Sequence, residues 1–248
     1  MSVIYYLWLR ELRRFARSRS QIAGALGQPI LYLVTMGFGL GPVFLRAGQG
    51  SYLQFIVPGL IAMTLLFNSV ISGMNLLWDR QVGFLKETLV APVPRAQILI
   101  GRILGGASVA LFQGVLVAIL CLAVGFRIKN LSSISLALLV MALIAFVFSI
   151  LGIALGSILR DVRGFQGIIN FLIMPIFFLS GALFPLEGLP SALATATHVD
   201  PLAYGVDALR STLNGQSYFN ARLDVAVLGL LAILLFVGTL YLFEKVEV

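Results

Sequence analysis

Charge is scarce in this sequence, and its scarcity decides the class of molecule. Of 248 residues, 60% are hydrophobic and 11% are charged, with a mean hydropathy of +1.03. A water-soluble domain of this length must show solvent one polar face of each helix and cannot do so with so few charges. Six stretches carry no charge at all: residues 20–45, 52–77, 103–126, 130–159, 164–186 and 225–243. Each holds about 19 to 30 residues, against the roughly 20 that cross a bilayer as a helix. Inside lipid every backbone N–H and C=O must bond within the segment, so the stretches predict helices. The period-two alternation of a membrane β-barrel is absent. The fold class is therefore an all-α membrane protein with about six spans.

Other absences exclude chemistry. The single cysteine, Cys121, sits mid-span, so no internal disulfide and no cysteine-based metal site can form. The lysines are Lys86, Lys129 and Lys245, and none follows a glycine, which excludes a Gly-Lys phosphate-binding loop. No Asp, Glu, Lys, Arg or His lies deep in any of the six stretches, which disfavours a proton- or sodium-driven carrier. The lone histidine, His198, has no second histidine or intramembrane carboxylate pair to work with, so neither a catalytic nor a metal site is expected. The N-terminus lacks the layout of a cleavable signal peptide, its arginines following the first apolar residues. No internal repeat suggests an inverted-repeat transporter.

The charges that are present sort by side. Assigning alternate loops to alternate faces puts twelve of the 17 Lys and Arg on one face, including Arg10, Arg13, Arg14, Arg17, Arg80, Arg95 and Arg102. By the positive-inside rule that face and both termini are cytoplasmic. The net charge of +7 thus marks topology and lipid headgroup contact, with no nucleic acid partner. Residues 2–19 predict an interfacial helix, with Ile4, Trp8, Leu12 and Phe15 on one face and Arg10, Arg13, Arg14 and Arg17 turned from it, among lipid phosphates.

Residues 78–98 form the most informative loop. Asp79 is placed to cap a short cytoplasmic helix whose apolar face is Val82, Leu85 and Leu89 and whose end is set by Pro92 and Pro94. Arg80, Lys86 and Glu87 project from the rest, either as a docking surface for a soluble partner or as a solvated anchor. An external segment, 187–223, contains a helix over 201–214 that serves either as a surface cap or as a segment dipping back into the protein. Uncharged polar residues inside the spans, Asn68, Asn75, Gln113 and Asn170, either pack between helices or line an amphipathic path walled by Phe67 and Phe178. Pro29, Pro58 and Pro175 predict bends in three spans.

Three stretches together resemble the permease subunit of type-2 ABC exporters, the group with drug-resistance, nodulation-factor and polysaccharide-export permeases. They are residues 52–59 (YLQFIVPG), 80–102 (RQVGFLKETLVAPVPRAQILIGR) and 175–190 (PIFFLSGALFPLEGLP). The resemblance covers essentially the whole chain and implies one transmembrane domain, 1–248, in a bacterial inner membrane. It implies a second permease copy and a separate ATP-binding cassette subunit that holds ATP and magnesium, leaving no cofactor and no catalytic residue in this chain. It matches Arg80, Gly83, Lys86, Glu87 and Pro92 to a coupling segment, with residues 2–19 cradling the same partner. It also matches the stretch after Pro185, with Pro190 and Tyr204, to an outer gate. The implied cargo is amphipathic: lipid-like, drug-like or a glycan. The rival reading is a membrane scaffold that recruits a cytoplasmic partner without transport.

Overall fold

The computed structural model describes residues 3–46, 51–90, 92–129, 133–159, 161–186 and 190–244. The side chains of Lys86 and Leu89, residues 187–189 of the external segment, Asn130 and Lys245 lie outside the described residues.

Eleven α-helices and one π-helical turn follow in order among the described residues: α1 Val3–Arg17, α2 Arg19–Arg46, α3 Tyr52–Gln81, α4 Phe84–Val90, α5 Arg95–Ala123, α6 Ile134–Ile158, α7 Val162–Ile168, the π turn Ile169–Ile173, α8 Met174–Leu179, α9 Ser191–Val199, α10 Pro201–Asn214 and α11 Ala221–Glu244. Six are long and apolar enough to cross a membrane: α2, α3, α5, α6, the run Val162–Leu179, and α11. The π turn immediately precedes Met174 and Pro175. Proline has no N–H to give to the preceding turn, and a wider turn relieves the clash of its ring.

Helix α3 is the axis of the molecule. It is buried along most of its length and lies against α6 at backbone distance. Any Cβ on Gly73 would strike the Gly152 carbonyl, and one on Gly156 would lie 2.5 Å from Gly73 O. Small residues spaced by four let two helices approach this closely, which is how helices associate where lipid offers no hydrophobic drive. Ser72 and Ser149 extend the seam: their hydroxyls are 3.2 Å apart, and Ser149 Oγ donates to Ile103 O of α5 at 3.1 Å. Large apolar side chains on the outer helices, such as Phe38, Phe171 and Ile233, face outward as a bilayer requires.

Helix α1 packs on α5, where Gly101 and Gly105 leave room for Leu7 and Glu11. Arg95, at the start of α5, donates to the carbonyls of Phe243 and Glu244 at the end of α11. The first and last described helices therefore end at one face, hereafter the basic end. At the opposite end α10 is buried on most sides, against α3, α6 and α11. It dips into the protein and is not a surface cap.

Several expectations need correction. Asp79 does not cap the short helix, because α3 continues through it to Gln81. The break falls at Gly83, whose φ of +81° is the left-handed conformation that favours glycine. Val82 is 73% exposed and does not share the buried face of Leu85. Helix α5 begins at Arg95, so the third span takes in Arg102, which is buried. In α1 the buried face is Leu7, Glu11 and Phe15; Arg13 and Arg17 point away as expected, but Arg10 and Arg14 reach inward. The reason is one carboxylate, Asp79, that a pattern of local apolar residues does not register.

Candidate functional site

Asp79 organises the basic end. Its Oδ1 accepts from Arg10 Nη2 at 2.7 Å and its Oδ2 from Arg102 Nη1 at 2.7 Å, with Arg14 at 3.8 Å. Arg14 also donates to the Asn75 side chain, and Arg10 lies 3.8 Å from the centre of the Phe84 ring. Trp8 Nε1 donates to Ser108 Oγ at 2.9 Å. Side chains from α1, α3, α4 and α5 thus converge on one buried charge. Sequence reasoning passed over Asp79 and Arg102 as a cap and a loop cation. The usable signal was a carboxylate ending a long apolar run, since a charge at that depth requires a partner.

Beside this cluster lies a cavity of about 520 Å³. Glu11, Arg14 and Phe15 of α1 form its basic-end wall, Gln21 and Gln28 of α2 one side, and Met63, Phe67, Asn68 and Asn75 of α3 the back. Gln113 of α5, Gln166 of α7 and Asn170 of the π turn complete it. Seven carboxamides therefore face one space. Asn68 Nδ2 donates to Thr64 O at 2.8 Å, whereas the buried Gln113 keeps Oε1 without a partner. Such walls offer donors and acceptors without net charge. Of the residues expected along a path, Phe67, Asn68, Asn75, Gln113 and Asn170 are brought together here. Phe178 is not: it lies against Phe177, is 45% exposed and lines no part of the cavity.

The expected coupling residues occupy the basic end. Arg80 sits in the last turn of α3, Gly83 makes the turn, Glu87 is exposed in α4, and Pro92 is exposed in the link to α5. Leu85 anchors α4 in a cluster with Leu76, Ile98 and Leu99. Among the described side chains of α4, Leu85 is buried, Phe84 lies under Arg10, and Glu87 and Val90 are turned outward.

At the opposite end Pro185 is half-buried and Pro190 exposed, and neither touches the cavity. Tyr204 donates from its hydroxyl to His198 O at 2.7 Å and stacks on Phe219, their rings 4.9 Å apart. Three groups that sequence reasoning missed hold α10 in place. Asp200 caps it, accepting from Leu202 N–H at 2.9 Å, and burial pushes this carboxyl up to about 7. Arg210 donates to Gly181 O at 3.0 Å and lies 4.3 Å from the centre of the Phe55 ring. Burial pulls its guanidinium below the usual arginine value, with Asp207 opposing the shift. Asp207 is the third: fully enclosed, it accepts from Ser217 Oγ at 3.0 Å, Tyr218 N–H at 2.7 Å and Phe219 N–H at 2.8 Å.

Residues 2–214 match a protein family described as ABC-2 type transporter. The chain is 27% identical to Nodulation protein J of Rhizobium leguminosarum bv. viciae over 225 residues, covering 90% of this chain and 86% of that protein. It is 30% identical to the inner membrane transport permease YadH of Escherichia coli strain K12 over 210 residues, covering 82% and 80%. Over 244 residues it is 26% identical to Nodulation protein J of Bradyrhizobium diazoefficiens, covering 96% and 92%.

Proposed function

This chain belongs to the ABC-2 type transporter family and is a transmembrane transporter subunit, a multi-pass inner-membrane protein; from that premise we propose that it is the permease of an ATP-driven exporter in a bacterial plasma membrane. Two copies pair above a dimer of ATP-binding cassette subunits, which bind ATP and magnesium and carry out hydrolysis. The basic end faces the cytoplasm, in keeping with its arginines. There α4 is the coupling helix, presenting Glu87, with Arg80, Gly83 and Pro92 beside it and Lys86 belonging to the same segment by the sequence resemblance, and α1 flanks the same partner. The cavity takes an amphipathic cargo, lipid-like, drug-like or glycan, and α9 and α10 with Tyr204 close the outer end.

The observation that carries this reading is the placing of Asp79. It lies in the final turns of α3, just before the Gly83 turn into α4, and it binds Arg10 of α1 and Arg102 of α5. Helices α1, α3 and α5 are also walls of the cavity. A push on α4 therefore has a route to the cavity through the Gly83 turn and the ion-paired helices α3, α1 and α5. Chains of packed and ion-paired elements of this kind are what carries coupling between sites.

The test is co-purification with the cognate ATP-binding subunit and reconstitution in lipid. The wild type is expected to stimulate hydrolysis and export. The Glu87→Ala variant is expected to lose most of that stimulation while its six spans remain folded. A chain that recruits a cytoplasmic protein without any nucleotide-dependent activity in its complexes would overturn the reading in favour of a scaffold.

A further inference from the structure

We propose that the cavity selects its guest by charge, taking an uncharged, hydrogen-bonding head and refusing ionic ones, and that Gln113 is the residue that reads the head. The proposal rests on the export reading only in calling the guest a cargo.

Amides inside spans ordinarily bond across to another helix. Here seven of them face one cavity, and only Asn68 and Asn75 hydrogen-bond to another protein group among the described residues. Gln21, Gln28, Gln166 and Asn170 stand exposed on its wall. Gln113 is the telling one. It lies inside α5, is 4% exposed, and its Oε1 has no donor. An amide enclosed without a partner destabilises the empty protein, and an apolar side chain of similar size would fill the same place without that penalty. The residue is therefore explained by a donor that arrives with the guest.

The charges on the wall argue against an ion. They are Glu11 and Arg14, of opposite sign and both on α1. Arg14 is held by the Asn75 carboxamide and lies 3.8 Å from Asp79, and Glu11 lies 3.9 Å from Arg10. An anionic head would meet a guanidinium already engaged by Asp79, with a carboxylate beside it. A cationic head would meet Glu11 with two guanidiniums close by. Neither would be compensated for leaving water. A hydroxyl or amide both donates and accepts, so it can pair with carboxamides in either sense. Met63, Met74 and Met174 give the wall a soft apolar surface that adapts to the rest of the guest. The volume of about 520 Å³ falls within the roughly 300–1,000 Å³ of small-molecule sites.

The test uses the full chain in lipid nanodiscs and three photoreactive probes that share one dodecyl chain: the β-maltoside, the phosphocholine and the sulfate, each at submicellar concentration. The maltoside is expected to label the cavity-lining peptides of α3 and α5 saturably, at least about tenfold more tightly than either ionic probe. Gln113→Leu should weaken the maltoside about tenfold, the loss of roughly one hydrogen bond, and leave the ionic probes unchanged. Without probe its thermal midpoint should hold or rise, because the partnerless oxygen is gone, whereas an amide needed for packing would give a fall. Asn170→Leu, at an exposed position on the wall, should weaken the maltoside without lowering the midpoint. Phe178→Ala, off the cavity, should change neither affinity nor preference. Equal labelling by the three probes, a preference that survives both Gln113→Leu and Asn170→Leu, or a lowered midpoint for Gln113→Leu would each overturn the proposal. Labelling needs neither partner nor nucleotide, so a protein that shows the preference yet fails in nucleotide-dependent transport would overturn the export reading alone and uphold the site.

Discussion

Asp79 and Arg102 are 23 residues apart in sequence and 2.7 Å apart in space, with both side chains almost completely enclosed. Breaking such a pair from one side leaves the other charge buried and uncompensated, at a cost of about 3–5 kcal/mol. Asp79→Ala should therefore cost that much, seen as a lowered unfolding midpoint in mild detergent. Adding Arg102→Met should recover part of the loss, because the stranded charge goes with it. Asp200 behaves differently. Its carboxyl lies near 3.8 when exposed and at about 7 when folded, so the folded state binds the extra proton between those values. Stability contributed at this cap is thus highest below about pH 4, falls as pH rises toward 7, and is flat above. Asp200→Asn keeps an oxygen for Leu202 N–H and should flatten that slope in a pH series of thermal midpoints. Four of the cavity carboxamides, Asn68, Asn75, Gln113 and Asn170, were legible because an amide inside an apolar run stands out, whereas Gln21, Gln28 and Gln166 were not singled out. The ion pairs were not, since nothing local announces that Arg10 and Asp79, 69 positions apart, meet.

At the scale of elements, helix existence followed directly from apolar length, while helix ends did not. A charged residue closes an apolar run in the sequence, yet Asp79 and Arg102 pair with each other and so lie inside α3 and α5. The short helix was legible from Pro92 and Pro94, but its true start is the Gly83 turn. How α3 meets α6 was hidden too, since glycine is common in spans for many reasons. Here the reason is contact: a Cβ on Gly152 would lie 2.5 Å from Val70 O. Backbone cannot yield as a flexible side chain does. Gly152→Val should cost at least the 1–3 kcal/mol or so of an overpacked core. It should also part the Ser72–Ser149 seam, read as a lower midpoint and faster proteolysis. Gly229→Val, at a position with open space around it, is the control expected to change little.

For the whole molecule, α1 and α4, which the family resemblance assigned to one partner-facing surface, are seated differently. Helix α4 is held by Leu85 and exposes Glu87, whereas α1 is seated on α5 and turns Glu11, Arg14 and Phe15 into the cavity wall. If α4 receives the partner and α1 transmits its movement, a lesion between α1 and α5 should spare the first and damage the second. Gly105 is the place to make it, because a Cβ there would lie 2.8 Å from Glu11 Cγ and 2.9 Å from its Cβ. Gly105→Val displaces α1 at its seat on α5 and changes no residue of α4 or the Gly83 turn, which α1 touches through Arg10 over the Phe84 ring and through Leu7 in the Leu85 cluster. The expected result in reconstituted vesicles is a complex of normal composition, hydrolysis within about twofold of wild type, and transport reduced tenfold or more, equivalent to about 1.4 kcal/mol or more of lost coupling. Glu87→Ala should give the reverse order, with stimulated hydrolysis failing first. If Gly105→Val instead lost the partner and hydrolysis together, α1 would be part of the docking surface itself, and the lever would have to lie in α3 and α5 alone.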